Sequence, residues 1–121
     1  MLLLLLKRVW NYKEDEILII LNSDHGQSFL SESQHNFMHD YRRKVPLMMY
    51  GKGIKQSISD KLTSNVDLYP TILHLLGIKE SAWKELDGQV MEDFDGPKRE
   101  YSLTESYHPG QTYKAVIETE D

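Results

Sequence analysis

An α/β layer with a largely parallel sheet and flanking helices is the fold class the sequence predicts, on three observations. Helix-like and strand-like patterns alternate along the chain in the order helix, strand, loop, strand, helix. The stretch from Glu16 to Leu21 is an unbroken apolar run of the kind covered on both faces in a parallel sheet. Read on as ILIILNSDHGQSF, residues 17–29, that run ends abruptly in Ser23-Asp24-His25-Gly26, which puts a carboxylate and an imidazole at the C-terminal end of a strand. Open α/β sheets gather their ligands at that edge, because loops and helix termini converge there.

Each element has its own justification. Leu2 to Leu6, extended by Val9 and Trp10, reads as a buried or partner-facing helix of which only the end is present. The leucine run is shorter than the ~7–15 apolar residues of a signal-peptide core, and Lys7 and Arg8 follow it instead of preceding it. It is read as neither signal nor membrane span. Asn11 to Asp15 is a polar connection to the first strand. Gln27 to Lys44 shows no sustained period and is expected to be a long loop with one helical turn, and long ordered loops are usually functional. KVPLMMYGKGI gives a second short strand over Val45 to Tyr50, broken by Gly51 and Gly53. In SNVDLYPTILHLLGIK, Asp67 is the expected N-cap and Pro70 falls in the first turn, where its missing N–H does no harm. Leu68, Ile72, Leu75 and Leu76 then share one face, and Gly77 supplies the stop. Glu80 to Arg99 is charged and turn-rich, with Glu92, Asp93 and Asp95 read as a solvated acidic loop. YSLTES and TYKAVIET look like strands joined through His108-Pro109-Gly110.

Composition narrows the classes. With 121 residues, 40% hydrophobic and 27% charged, the chain suits one small domain or a piece of a larger one. A chain of that length buries about 65% of its unfolded surface when it folds alone. The formal charge of −5 gives no basic footprint for nucleic acid. There is no cysteine, which excludes disulfides, thiolate metal sites and a cysteine nucleophile within the chain.

The chemistry-bearing residues follow the first strand. A carboxylate beside an imidazole can share a divalent cation; one oxygen and one nitrogen suit zinc or manganese, while calcium and magnesium prefer oxygen throughout. Asp24 and His25 have that pairing, and Gly26 lets the backbone turn away without a Cβ clash. On spacing alone, an acid and a histidine capping a turn after a strand fit the same tripeptide. Ser23 and Ser28 are the hydroxyls beside it, and neither has a base at nucleophile-motif spacing. Trp10, Trp83, Tyr69 and Tyr101 read as packing residues, His74 as a helix histidine outside any site, and His108 as a turn residue.

Four segments in sequence, ILIILNSDHG, RRKVPLMMYGKGI, LTSNVDLYPTILHLLGI and LDGQV, resemble the later half of the sulfatase-like branch of the alkaline phosphatase superfamily in order and in gaps. The resemblance implies a partial, incomplete alkaline-phosphatase-like sandwich and a metal-dependent hydrolase of sulfuric or phosphoric esters. It implies one divalent ion (calcium, magnesium, manganese or zinc), with Asp24 and His25 as two of its ligands. His35 matches the family's downstream histidine near the substrate or a second metal. His39 or Lys44 takes the place of the basic group that holds the ester's anionic oxygens. Glu105 lies in a stretch resembling the family's TES segment and receives no role.

The same resemblance places a first strand with acidic ligands, and the nucleophile, upstream of this region. Residues 1–121 are therefore expected to be a C-terminal segment of a sulfatase-like catalytic domain, with residues 100–121 opening a terminal β subdomain. The missing N-terminal part of that domain is the expected partner, and the segment alone is expected to be inactive. The family also contains phosphoethanolamine and glycerol-phosphate transferases, and its members are commonly exported, lysosomal or membrane-associated. An alternative outside enzymology is a non-catalytic remnant that binds metal weakly or packs on another protein through its leucine-rich start.

Overall fold

The structure is a computed structural model and describes residues 13, 17–27, 39–51, 53–82, 84–107 and 112–120. The helix expected over Leu2 to Trp10, most of the Asn11 to Asp15 connection, Ser28, His35, Trp83 and His108-Pro109-Gly110 lie outside the described residues.

Antiparallel ribbons stand where a parallel sheet was expected. Strand β1 (Leu18–Asn22) pairs with β2 (Leu47–Gly51), Leu18 facing Gly51 and Asn22 facing Leu47. Strand β3 (Tyr101–Ser106) pairs in the same sense with β4 (Lys114–Thr119), Tyr101 facing Thr119 and Ser106 facing Lys114. The direction of β2 has a local cause. The Gly26 N–H donates to the Arg42 carbonyl at 2.8 Å, which returns the chain to the end where β1 finishes, so the next strand runs back alongside it. The one helical turn expected in the long loop is present as α1 (Asp40–Arg43). The ladder opens at Leu47 and not at Val45, in keeping with Pro46, which has no N–H to give it.

The apolar run of β1 is not covered on both faces among the described residues. Leu21 is 57% exposed and its cross-strand neighbour Met48 is 56% exposed.

Helix α2 (Leu68–Leu75) follows a 3₁₀ turn over Asn65–Asp67 and keeps the limits that Pro70 and Gly77 predict, while Asp67 stands before it without a side-chain cap bond to it and accepts the Ser64 N–H instead. It ends with Gly77 at φ 72°, the Gly77 N–H on the His74 carbonyl at 2.9 Å and the Ile78 N–H on the Leu73 carbonyl at 3.0 Å. The fully buried residues of α2 are Pro70 and Thr71; of the expected face Leu68, Ile72 and Leu75 are half-buried and Leu76 is 64% exposed. The reason is the neighbour: Thr71 Oγ1 accepts the Met91 N–H at 3.0 Å, and Val90 and Met91 are the buried apolar residues beyond it. His74 is exposed, as a helix histidine outside any site should be.

Asp67 is buried and organises this centre. Its Oδ2 accepts the Ser64 N–H at 3.0 Å and its Oδ1 accepts the Gln89 N–H at 3.0 Å. Arg99 grips both oxygens, Nε on Oδ2 at 2.7 Å and Nη2 on Oδ1. The NVD and LDG segments and the entry to β3 are thereby tied at one carboxylate. Two further 3₁₀ turns span Glu80–Ala82 and Glu92–Phe94. Glu92 and Asp93 are not merely solvated: Lys61 Nζ lies 2.9 Å from Glu92, and Ser59 Oγ donates to Asp93 at 2.6 Å. Among the described residues no helix is long and apolar enough to cross a membrane.

Candidate metal centre

The end of β1 is shaped by short-range hydrogen bonds. Ser23 Oγ donates to the His25 carbonyl at 2.7 Å, and the His25 N–H donates to Asp24 Oδ1 at 2.9 Å. That N–H, followed by the charge of the His25 ring, holds the Asp24 carboxyl below the usual carboxylate range. The Ser23 hydroxyl is therefore spent on the turn, in line with its poor standing as a nucleophile. His25 Nδ1 lies 2.8 Å from the Gly26 carbonyl, which can only accept, so Nδ1 carries the proton and Nε2 has the free lone pair in the neutral ring. Nε2 stands 3.7 Å from Asp24 Oδ2. The side chains are 55% and 86% exposed, respectively, so the pair faces outward.

Gly26 acts in the opposite sense to the one expected. A Cβ there would lie 1.9 Å from the Tyr41 carbonyl oxygen, so glycine permits close approach of α1 to the strand end and not a turn away from it. Through this contact α1 brings basic residues to the rim. Arg43 pairs with Asp40 at 2.5 Å and with Glu118 on β4. Lys44 lies 2.8 Å from Asp40 and 3.6 Å from Glu118, and its hydrogen bond to Asp40 comes first among the causes that raise its pKa. A cavity of about 1020 Å³ opens here, lined among others by Asp24, His25, Lys44, Ser102 and Glu118.

The other histidine candidates fare differently. His39 stacks on Tyr41 with ring centroids 5.1 Å apart and does not line the cavity. His35 lies outside the described residues. Sequence reasoning missed Glu118, which closes the charge network from the far hairpin, and Asn65, whose side chain reaches the strand end. Asn65 is the first residue of the NVD segment, two residues before Asp67.

The donors of Asp24 and His25 fit a divalent ion. With Nδ1 protonated, a carboxylate oxygen and a ring nitrogen present two lone pairs 3.7 Å apart, a gap one ion spans at the ~2.0–2.6 Å distances such ligands take. Two donors are fewer than the four or more that these ions require. Among the described residues no group of three or more His, Cys, Asp or Glu side chains is placed to complete the set.

The Sulfatase family model matches residues 5–78, more than half of the chain's 121 residues. This chain belongs to the sulfatase family. Arylsulfatase K of Rattus norvegicus is 39% identical over 64 residues, covering 50% of this chain and 11% of the relative. Arylsulfatase K of Homo sapiens matches equally, at 39% over 64 residues and 12% of its length. A Caenorhabditis elegans protein named "Putative extracellular sulfatase Sulf-1 homolog" is 32% identical over 81 residues, 64% of this chain and 11% of that protein. The alignments thus span about a ninth to an eighth of the relatives' length. No solved structure matches significantly. Sulfatases carry an alkaline-phosphatase-like α/β fold, act on sulfate esters and generally use a divalent metal. In this sulfatase-family chain, the family match ends just beyond α2, so it takes in β1, the Asp24–His25 pair and the NVD turn.

Proposed function

We propose that this chain is a segment of a metal-dependent sulfuric ester hydrolase, in which Asp24 and His25 supply two ligands of one divalent cation. The observation that carries the reading is the approach of His25 Nε2 to Asp24 Oδ2, with Nδ1 engaged by the Gly26 carbonyl. A divalent ion in such a site lowers the pKa of the nucleophile and stabilises the leaving oxygen of the ester.

The chain's own residues orient and hold. The Gly26 carbonyl fixes the His25 tautomer, so that Nε2 is available as a ligand without prior loss of a proton from that atom. The His25 N–H accounts first for the lowered Asp24 pKa, and the ionised carboxylate is the form that ligates a metal. Lys44 and Arg43 lie on the rim paired with Asp40 and Glu118, so an anionic ester held there would compete with those carboxylates for the cations. His35 and His39 keep the assignment to the substrate or second-metal region, His39 as an exposed ring stacked on Tyr41.

Among the described residues the segment supplies two ligands, Asp24 and His25, and Ser23 is engaged in the turn, which supports reading it as a weak metal binder when separated from the rest of the domain. The remaining ligands and the nucleophile belong to the rest of the catalytic domain, with residues 100–121 at the start of a terminal β subdomain. The name of the nematode relative supports export of the parent protein.

In the full-length protein that carries this segment, Asp24→Ala is expected to remove bound divalent metal and aryl sulfate hydrolysis together. Full metal content in that variant removes Asp24 from the site. Hydrolysis of an aryl phosphate in preference to the sulfate moves the reading to the phosphoryl-transferring members of the superfamily.

A further inference from the structure

We propose that Asn65 is a positioning residue for the Asp24–His25 pair, clamping the end of β1 from outside that strand. The proposal rests on the reading of the pair as metal ligands. Asn65 Nδ2 donates to the Ser23 carbonyl at 3.2 Å, and Asn65 Oδ1 accepts from Asn22 Nδ2 at 3.2 Å. The orientation of the amide is determined by chemistry. The Ser23 carbonyl can only accept, so Asn65 must present its NH₂ there, which turns Oδ1 toward Asn22 and obliges Asn22 to present its own NH₂. One side chain thus holds two consecutive residues directly before Asp24.

The clamp is itself anchored. Asn65 opens the 3₁₀ turn that ends at Asp67, where the Ser64 N–H, the Gln89 N–H and Arg99 converge on one buried carboxylate. The Asn22 amide depends on it in turn, since among the described residues its buried Oδ1 has no hydrogen-bond partner. Asp24 and His25 are exposed and are otherwise ordered by contacts within residues 23–26 and by the Gly26 bond to α1. Without Asn65 the Ser23 carbonyl loses its partner, and the orientation of the carboxylate and imidazole rests on the bonds within residues 23–26 and on the Gly26 bond to Arg42 alone. Partners one shell out from the ligands of a metal commonly alter its affinity by about 10–100-fold.

The test uses the 121-residue chain as wild type, Asn65→Ala, Asn65→Asp and Asp24→Ala. Amide hydrogen exchange is read at His25 and Gly26, with the β3–β4 amides as the reference for global folding, and Mn²⁺ alone is titrated. Both Asn65 variants should exchange about tenfold faster at His25 and Gly26, with β3–β4 unchanged, as expected for a local opening. Asn65→Ala should bind Mn²⁺ about tenfold more weakly, in the range of such outer partners. Asn65→Asp retains the acceptor for Asn22 but loses the donor to Ser23, so exchange at His25 and Gly26 equal to wild type in that variant overturns the proposal. So does wild-type affinity in Asn65→Ala when Asp24→Ala has lost binding, and so does unchanged exchange at both amides. If Asp24→Ala binds Mn²⁺ as wild type does while the Asn65 variants still speed exchange, the metal reading falls and the clamp stands.

Discussion

A single methyl group at residue 26 is enough to separate α1 from the strand end, because its carbon would sit 1.9 Å from the Tyr41 oxygen. Backbone cannot yield as a flexible side chain does, so Gly26→Ala should destabilise the chain by about 1–3 kcal/mol in urea denaturation, and the Gly26–Arg42 amide should lose its exchange protection. An alanine variant as stable as wild type would mean that the approach of α1 is not held at that point. Of the residues at this edge, Asp24 and His25 were legible in the sequence because the signal is local: an apolar run followed at once by two ligand-type side chains. The long-range bonds around them were not. Glu118 lies 75 residues from Arg43, and Asn65 lies 42 from Ser23, so no spacing rule within one element connects them. The close approach at Gly26 is not legible for the same reason, since the Tyr41 carbonyl that it accommodates arrives from a separate segment.

Helix α2 shows where reading by element succeeds and where it stops. Its limits follow from local chemistry, Asp67 and Pro70 at the start and Gly77 in the left-handed region at the end, so they could be placed without tertiary information. Its buried face could not, because leucine spacing identifies an apolar stripe but not the neighbour available to cover it. The neighbour is the Val90–Met91 segment, and it meets Thr71. Thr71→Val preserves shape but leaves the buried Met91 N–H without an acceptor, which should cost about 1–3 kcal/mol by chemical denaturation; a variant within 0.5 kcal/mol of wild type would show that water or a shifted backbone satisfies that donor.

Strand direction was illegible on similar grounds: the apolar run of β1 encodes burial, whereas the antiparallel course of β2 depends on the return of the chain to Gly26. The residue after β4 carries a pH dependence. Glu120 accepts Lys98 at 2.7 Å and the Leu62 N–H at 2.9 Å, and these bonds, Lys98 first, lower its pKa. A carboxyl depressed in the folded state contributes stability that is present above its unfolded pKa, about 4.3, and is lost as pH falls through the lower folded value. A carbon-detected titration of Glu120 should therefore place its midpoint below that of an exposed glutamate, and Lys98→Ala should move it upward. An unmoved midpoint would assign the depression elsewhere.

Across the whole molecule, one buried ion pair ties the turn before α2 and the LDG segment to the entry of β3. Asp67 is 1% exposed and Arg99 13% in their side chains. Removing the cation leaves the carboxylate buried with its two backbone donors alone, so Arg99→Met should cost about 3 kcal/mol, read as a lower urea midpoint with the transition still cooperative. A loss below 1 kcal/mol would indicate that the backbone N–H groups of Ser64 and Gln89 suffice. The outer face of the first ribbon has the opposite character, since Leu21, Met48 and Tyr50 are exposed there. Exposed apolar surface of this kind marks an interaction surface or promotes association. Met48→Lys should accordingly reduce concentration-dependent association in sedimentation, and equal association in the variant would place the sticky surface elsewhere.

Paramagnetic Mn²⁺ added to the intact 121-residue chain interrogates the Asp24–His25 pair itself. At substoichiometric metal, the His25 ring and Asp24 resonances should broaden before any others, and Asp24→Ala should abolish that selectivity. Broadening that begins at Glu92 and Asp93 while His25 stays sharp would contradict the assignment of a cation to the end of β1.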